Sequence, residues 1–136
     1  VPGNPQEPCR SRIALDKLPY AYAWQTLRET GATVAFSSDW PVSPLNPFLG
    51  MQSAMTVALI EPGLPSQKQS LLDTLDAFTR AGAYCEFRED RKGSLQDGYL
   101  ADVVVLDHDL ELTDPGQLGS VRPVMTICDG RVSFES

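Results

Sequence analysis

Histidine, basic residues and long apolar runs are all scarce in this chain. One histidine occurs in 136 residues, and 11 lysines and arginines stand against 18 aspartates and glutamates, for a formal net charge of −7. Because no basic face is present, nucleic acid and anionic membranes are poor partners. The apolar runs fall far short of the roughly 20 residues that a membrane span needs. Residues 1–8 are polar and proline-rich, unlike a signal peptide, so we expect a cytoplasmic protein.

The cysteines are too few and too far apart for a disulfide framework. They are Cys9, Cys85 and Cys128, and no C-x-x-C pair occurs. This spacing predicts reduced thiols, two of them buried. A zinc site built from them is disfavoured, because the one histidine, His108, offers no second ligand nearby. Its position between Asp107 and Asp109 favours the solvated end of a strand over a metal site.

The first part of the chain has the pattern of an α/β unit. The whole chain has 136 residues. This length suffices for one domain with a core, but a complete eight-fold barrel takes roughly 250 residues. From Pro19 onward, apolar residues recur at helical spacing, and Gly31 lies where such a helix would end. The following run, Thr33–Ser37, predicts a strand. Because Val34–Phe36 is nonpolar throughout, we expect this strand to be covered on both faces, as in a parallel sheet.

Two further helices are predicted from their caps. Asn46 followed by Pro47 is typical of a helix start, and the apolar stripe after it extends the helix to Leu59. Ser70 with Asp73 resembles a capping box and opens a third helix, which is expected to end near Gly82 or Cys85. The predicted buried stripe of that helix is Leu71, Leu72, Leu75 and Phe78.

The last third of the chain changes to β character. Lys92–Leu95 and Ala101–Asp107 predict two strands, and Asp114-Pro115 predicts a short helical turn. The dipeptide Asp129-Gly130 between two β-prone runs indicates a hairpin with a type I′ turn. The predicted fold class is therefore α/β followed by antiparallel β.

The candidate site is an acid placed after an apolar run. Asp39 follows the predicted strand at residues 33–37 and precedes Trp40 and a proline-rich loop. An acid at this place either caps the next turn or forms a catalytic group at the mouth of an α/β barrel. The residues alone leave these two interpretations evenly balanced. Trp40 likewise is either a wall of a substrate pocket or part of the core.

Three motifs, taken in order, resemble those of metal-dependent amidohydrolases. The stretch GATVAFSSDWPVSP at residues 31–44 resembles the motif of the eighth barrel strand in that family. KGSLQDGYLADVVVLD at residues 92–107 resembles the return of its chain into a small β-sandwich, and TICDGRV at residues 126–132 resembles its closing hairpin. The similarity extends from about Leu18 to Phe134, and the most similar branch is the one that contains N-substituted formamide deformylase.

This resemblance implies that the chain is the C-terminal part of a TIM-barrel enzyme. Residues 1–90 would be the last barrel strand with its helices, and residues 91–136 would be strands of the small composite β-sandwich. The resemblance further implies that Asp39 is catalytic and a metal ligand, the latter only with histidines that this chain lacks. Ser38 and Trp40 would lie at the substrate mouth, while Ser37 stands where the family usually has glycine. A divalent metal, zinc, is implied for the intact enzyme and none for this chain alone.

Two hypotheses about function follow. In the first, the chain is a portion of a hydrolase that cleaves carbon–nitrogen bonds of small amides, formamides or cyclic amides, and is inactive by itself. In the second, it is a non-catalytic structural or assembly module derived from the same fold. Under the second hypothesis, a lone barrel strand exposes unpaired edges and apolar helix faces. We therefore expect self-association, or binding to the missing N-terminal part of the barrel.

Overall fold

The computed structural model describes residues 11–136, in which helices precede a small sheet. The helices are α1 (Trp24–Glu29), α2 (Pro47–Thr56), α3 (Leu71–Phe78) and α4 (Arg80–Cys85), with 3-10 helices at Leu15–Tyr20 and Pro115–Ser120. The strands are β1 (Val103–Leu106), β2 (Pro123–Cys128) and β3 (Arg131–Glu135). No helix within residues 11–136 is long and apolar enough to cross a membrane. The predicted irregular lead-in before residue 11, with Cys9, lies outside the described residues.

Helix α1 begins later than predicted and ends where predicted. Tyr22 has a φ of 52°, which separates the 3-10 helix from α1, so the helical pattern from Pro19 is split in two. At the C-terminus, the amide of Gly31 donates to the carbonyl of Arg28, and the amide of Ala32 donates to that of Leu27. This pair of bonds is the Schellman motif, and Gly31 takes the left-handed φ of 87° that the motif requires.

The predicted strand at residues 33–37 is extended but belongs to no sheet. Within residues 11–136 the one sheet contains only β1, β2 and β3. Val34 and Phe36 are half-buried whereas Ala35 is exposed, so the prediction of a strand covered on both faces is wrong for this chain. The physical reason is that neighbouring strands must supply both the pairing and the second covering layer. Here a backbone hydrogen bond, from the amide of Phe36 to the carbonyl of Ala77 at 3.0 Å, joins the segment to the end of α3.

The predicted caps are confirmed, but both later helices are shorter than expected. The Asn46 side chain accepts from the amide of Phe48, and the Ser70 side chain accepts from the amide of Asp73. Helix α2 ends at Thr56 rather than Leu59. The third predicted helix is broken at Thr79, whose φ of −128° and ψ of −86° separate α3 from α4.

One residue of the predicted buried stripe faces solvent. Leu71, Leu75 and Phe78 pack against the core, but Leu72 is 73% exposed. The cysteines are also more exposed than predicted. Cys85 and Cys128 are both free, and both are exposed, so the prediction of two buried thiols is wrong. Each lies at the end of its helix or strand, where the chain leaves the packed layer.

The sheet is antiparallel with the order β1-β2-β3. β2 and β3 form the predicted hairpin: Asp129 and Gly130 have φ of 48° and 75°, the two positive values of a type I′ turn. Asp114 caps the 3-10 helix Pro115–Ser120 by accepting from the amide of Gly116. The predicted strand at Lys92–Leu95 does not form. The next predicted strand is shortened to Val103–Leu106.

The main core joins the helical part to the sheet part. Its buried centre is Met51 of α2 together with Leu118 and Val121, which lie in and just after the second 3-10 helix. Gln52 reinforces this contact, since its side-chain oxygen accepts from the amide of Gly119 at 2.8 Å. The predicted division at residues 90 and 91 therefore runs through a region whose two sides share one hydrophobic cluster.

An exposed polar clasp closes the end of β1. The carboxylate of Asp107 accepts from the amide of Arg122 at 2.9 Å and lies 2.8 Å from Nδ1 of His108. The Arg122 amide first, and then the His108 side chain, lower the pKa of Asp107. His108 is largely exposed, as the sequence predicted for the solvated end of a strand.

The clasp predicts a pH-dependent contribution of Asp107 to stability. Because the folded-state pKa is lowered, the contribution is complete above the unfolded-state pKa and is lost as the pH falls through the folded-state value. Asp107→Asn should thus lower the urea midpoint at neutral pH and have no effect in acid below that value. Urea titrations at both pH values, with Asp97→Asn as the control, measure this. An equal loss at both pH values would contradict the charge-based explanation.

Candidate active site

Asp39 lies in a tight loop that directly follows the extended segment. The hydroxyl of Ser37 accepts from the amide of Asp39 at 3.2 Å, and the hydroxyl of Ser38 accepts from the amide of Trp40 at 3.3 Å. Two backbone bonds close the loop, from the amide of Val42 to the carbonyl of Asp39 and from the amide of Ser43 to that of Ser38. The two serines, and not the aspartate, therefore provide the side-chain caps.

The backbone of Asp39 is held in a left-handed conformation, with φ at 47°. This conformation costs a residue other than glycine about 1 kcal/mol, although aspartate and asparagine tolerate it better than most. The residue is exposed, and within residues 11–136 its carboxylate takes part in no hydrogen bond or ion pair. The alternative interpretation, in which the Asp39 side chain caps the next turn, is thus wrong. The carboxylate is free to meet a ligand from outside.

A row of aromatic rings anchors the segment that leads to Asp39. The Phe36 ring meets the Trp24 ring edge-on, with centroids 5.7 Å apart, and lies 5.8 Å from the Phe78 ring. Trp24 belongs to α1 and Phe78 to α3, so the segment lies between these two helices. Edge-to-face pairs of this kind are worth about 1 kcal/mol beyond their area burial.

Arg28 ties the same three elements together by polar contacts. Its guanidinium, 18% exposed, lies 3.4 Å from a carboxylate oxygen of Asp76 and 3.8 Å from one of Asp73. It also donates to the backbone carbonyl of Asp73 at 3.1 Å and reaches the carbonyl of Val34 at 3.5 Å. A largely buried guanidinium with two carboxylates and two carbonyls fixes α1, α3 and the extended segment in one arrangement.

Two glutamines complete this framework from the loop before α3. Helix α1 has no capping side chain of its own, because Ala23 precedes it. The side-chain oxygen of Gln67 takes that role by accepting from the amides of Gln25 and Thr26, at 2.9 and 3.2 Å. Gln69 is 4% exposed and bonds the side chain of Gln25.

Sequence reasoning missed these positioning residues. Hydrogen bonds that position the site join Arg28, Gln67 and Gln69 to residues 41 or more positions away in the sequence. A local sequence pattern does not predict such contacts. The alanine at the cap of α1 leaves its first amides without a local acceptor, but this is visible only once the helix is known to start at Trp24. The sequence pattern placed that start at Pro19, so it gave no signal for a remote polar cap.

The other predicted site residues flank Asp39. Trp40 is 65% exposed, so its alternative role in the core is wrong. Ser38 is half-buried, with its hydroxyl committed to the loop, and Ser37 is exposed. Ser38, Asp39 and Trp40 therefore lie close together because they follow one another in one rigid loop. Among the described residues, no second titratable side chain joins Asp39 at this site.

The residues present do not fit a metal ion. Across the described part of the chain, no three His, Cys, Asp or Glu side chains come close enough to hold one. Asp39 offers one carboxylate, whereas a catalytic zinc takes three protein ligands. His108, the chain's one histidine, is engaged with Asp107 at the end of β1.

We therefore expect the purified chain to retain no stoichiometric zinc after dialysis. Mass spectrometry of the metal content measures this, with Asp39→Ala as the matched variant. The two proteins should give the same low value. One zinc per chain in the original, absent from the variant, would show a site that the geometry does not provide.

A wide groove lies apart from the loop of Asp39. Its volume is about 1110 Å³, and residues of α2, α3, α4 and β1 line it, together with the connection at residues 92–95. None of Ser38, Asp39 and Trp40 is among the lining residues. The groove is mainly apolar, with Phe48, Leu75 and Leu95 among its walls.

Amidohydrolases are among the known proteins that this chain resembles. The sequence profile described as Amidohydrolase family matches residues 7–134, almost the whole chain. This chain belongs to the amidohydrolase family. YtcJ of Bacillus subtilis strain 168, named as an amidohydrolase, is 32% identical over 129 residues, which are 91% of this chain and 24% of YtcJ. Protein LONG AFTER FAR-RED 3 of Arabidopsis thaliana is 37% identical over 91 residues, which are 63% of this chain and 15% of that protein.

The solved structure of an amidohydrolase has the same fold over this region. The crystal structure of an amidohydrolase from Thermotoga maritima MSB8 matches 85% of this chain with a TM-score of 0.63 and 25% sequence identity. The match takes up 26% of that longer chain. This amidohydrolase chain thus spans about a quarter, or less, of the proteins that it matches.

Proposed function

We propose that this chain is a portion of a hydrolase that cleaves carbon–nitrogen bonds other than peptide bonds, with Asp39 as its acid–base residue. The observation that supports this most is the state of the Asp39 carboxylate. It is exposed and free of partners, on a loop whose backbone is fixed by two serine caps. Family membership supplies the class of reaction.

In this proposal Asp39 accepts a proton from the water that attacks the carbonyl carbon. General-base catalysis by a positioned carboxylate contributes roughly 10²–10⁴-fold. A general base must be held at a fixed position relative to the water. The segment from Val34 to Phe36, which leads to Asp39, is held in place by Arg28 and by the aromatic row. Trp40, next in the chain and exposed, would form a wall of the substrate mouth, with Ser38 beside it.

The rest of the catalytic apparatus would come from polypeptide outside this chain. We propose a TIM barrel to which residues 1–90 contribute the last strand and its helices, and a small β-sandwich to which residues 91–136 contribute. Zinc, or another divalent metal, would be held chiefly by histidines of that other part. We further propose a cytoplasmic enzyme of the branch that includes N-substituted formamide deformylase, with small-molecule amides as substrates.

The test uses the longest polypeptide whose reading frame contains this chain. We expect it to hydrolyse members of a panel of N-substituted formamides, simple amides and cyclic amides, and to leave peptides of similar size intact. Release of the amine or acid is followed by chromatography. Cleavage of the peptides alone, or of no member of the panel, would contradict the proposal.

One observation favours a second candidate function, a non-catalytic assembly module. The described residues contain no metal-ligating cluster, yet they form a wide apolar groove suited to a protein partner. The two functions differ in what Asp39 does. An assembly module would bind its partner equally well with Asp39→Asn, and no activity would depend on this residue.

A further inference from the structure

The chain contains two Asp-Gly pairs, Asp97-Gly98 and Asp129-Gly130. In such a pair the backbone nitrogen of the glycine can attack the side-chain carboxyl of the aspartate, because glycine places no side chain around the reacting nitrogen. Both asparagines of the chain precede proline, whose nitrogen carries no hydrogen and does not take part in this reaction. The Asp-Gly pairs are therefore the places where this chemistry is least hindered.

Hydrogen bonds restrain both residues of the second pair. The amide of Gly130 donates to the carbonyl of Ala101 at 3.1 Å, and the amide of Asp129 donates to the carboxylate of Asp102 at 2.8 Å. The pair forms the turn between β2 and β3, and β2 is also paired with β1. These bonds must open before the Gly130 nitrogen can reach the carboxyl group of Asp129.

No such bonds restrain the first pair. Asp97 and Gly98 are the central residues of a turn, which the amide of Tyr99 closes by donating to the carbonyl of Gln96 at 3.1 Å. Gly98 has a φ of 86°, as the third residue of a type II turn requires. Within the described part of the chain, the Gly98 amide donates to no acceptor and the Asp97 carboxylate has no hydrogen bond or ion pair. Both reacting groups are therefore free.

Exposure does not distinguish the two pairs, since all four residues are exposed. The difference lies in the backbone around them. The chain is anchored directly after the first pair, because the hydroxyl of Tyr99 donates to the carbonyl of Glu89 at 2.9 Å and the amide of Leu100 donates to that of Arg91 at 2.8 Å. The first pair can thus rearrange while the fold around it stays in place.

We propose that Asp97 is a site of spontaneous isoaspartate formation in the folded chain, and that the hairpin protects Asp129 from the same reaction. The Gly98 nitrogen forms a bond to Cγ of Asp97. The proton of that nitrogen and the hydroxyl of the carboxyl group leave together as water, which gives a cyclic imide.

Water then adds to one of the two carbonyl carbons of the imide and breaks its bond to the Gly98 nitrogen. Addition at Cγ restores aspartate. Addition at the main-chain carbonyl carbon of Asp97 leaves the backbone running through the side chain, with the former main-chain carbonyl as the free carboxylate. The water lost in the first step is regained in the second, so no other reactant is needed. The inference does not rest on the proposed activity.

Peptide mapping of the full chain, incubated at neutral pH with and without guanidinium chloride, tests the proposal. Electron-transfer fragmentation distinguishes isoaspartate from aspartate at each pair. In the denaturant both pairs lack their native hydrogen bonds and should react at similar rates. In the native chain Asp97 should react at least about tenfold faster than Asp129, because each bond that must open slows the reaction of Asp129 several-fold.

Two variants separate the effect of the backbone from that of the sequence. Asp97→Glu keeps the charge but closes a less favourable ring, so the modification at this position should be lost. Asp102→Ala removes the acceptor of the Asp129 amide, so it should speed the reaction at Asp129 and leave the rate at Asp97 unchanged. Circular dichroism shows whether each variant is folded.

The incubation continues until the unfolded chain has reacted. Faster formation of isoaspartate at Asp97 in the native chain, with acceleration at Asp129 by Asp102→Ala, supports the proposal. Equal native rates at the two pairs, faster reaction at Asp129, or no isoaspartate at Asp97 in the native chain would overturn it. An unchanged rate at Asp129 in the folded Asp102→Ala variant would overturn the protective role of the hairpin bonds.

Discussion

Asp39→Asn in the proposed longer hydrolase is expected to lower kcat by roughly 10²–10⁴-fold, with a much smaller change in KM. Asparagine keeps the size of the side chain and, like aspartate, tolerates the left-handed φ of 47°. The loop therefore keeps its shape, while the group that accepts the proton is lost. Steady-state kinetics on the best substrate of the amide panel measures the effect.

The control for Asp39→Asn is a second aspartate whose side chain is exposed and remote from the loop. Asp16 is a suitable control because it forms one exposed ion pair, with Lys17. Asp16→Asn should leave kcat unchanged. If Asp39→Asn retained full activity, Asp39 would not be the acid–base residue. Hydrolysis by the isolated chain, abolished by Asp39→Asn, would contradict the expectation that the chain is inactive alone.

Leu118→Ala is expected to destabilise the chain by about 2–5 kcal/mol. Leu118 is fully buried, at 0% exposure, between α2 and the sheet part. Its removal would leave a cavity beside Met51 and Val121, which come from both sides of the predicted boundary at residue 90. Urea unfolding followed by circular dichroism and by tryptophan fluorescence measures the loss.

The same experiment tests whether residues 1–90 and 91–136 unfold separately. Both tryptophans, Trp24 and Trp40, lie in the first segment, whereas Leu118 lies in the second. If the shared core couples the segments, the fluorescence midpoint shifts together with the circular dichroism midpoint. A shift in circular dichroism alone would show independent units. Leu112→Ala, at an 85% exposed position, is the control and should change stability by less than about 0.5 kcal/mol.

The sequence predicted those features that depend on a few neighbouring residues. Asn46 with Pro47, Ser70 with Asp73, and Asp129 with Gly130 each satisfy backbone groups within three residues, so a cap or turn can be recognised from the residues themselves. Asp39 was singled out in the same way, by its place after an apolar run.

Features that depend on distant residues could not be predicted in this way. The segment at residues 33–37 has strand composition, but pairing needs a neighbour that the described residues do not provide. Helical periodicity alone showed neither the break at Thr79 nor which leucine of α3 would face the core. The contacts of Arg28 and Gln67 cross more than 40 residues.

The most direct test of the account is the DNA sequence upstream of the codon for Val1. The central claim is that this chain supplies Asp39 to a hydrolase whose other residues lie on further polypeptide, as expected when relatives are about four times as long. The account predicts an open reading frame that continues upstream and encodes the missing histidines. The resemblance to metal-dependent amidohydrolases implies two of them in a His-x-His motif on the first barrel strand. An in-frame stop codon followed by a start codon directly before Val1 would contradict it.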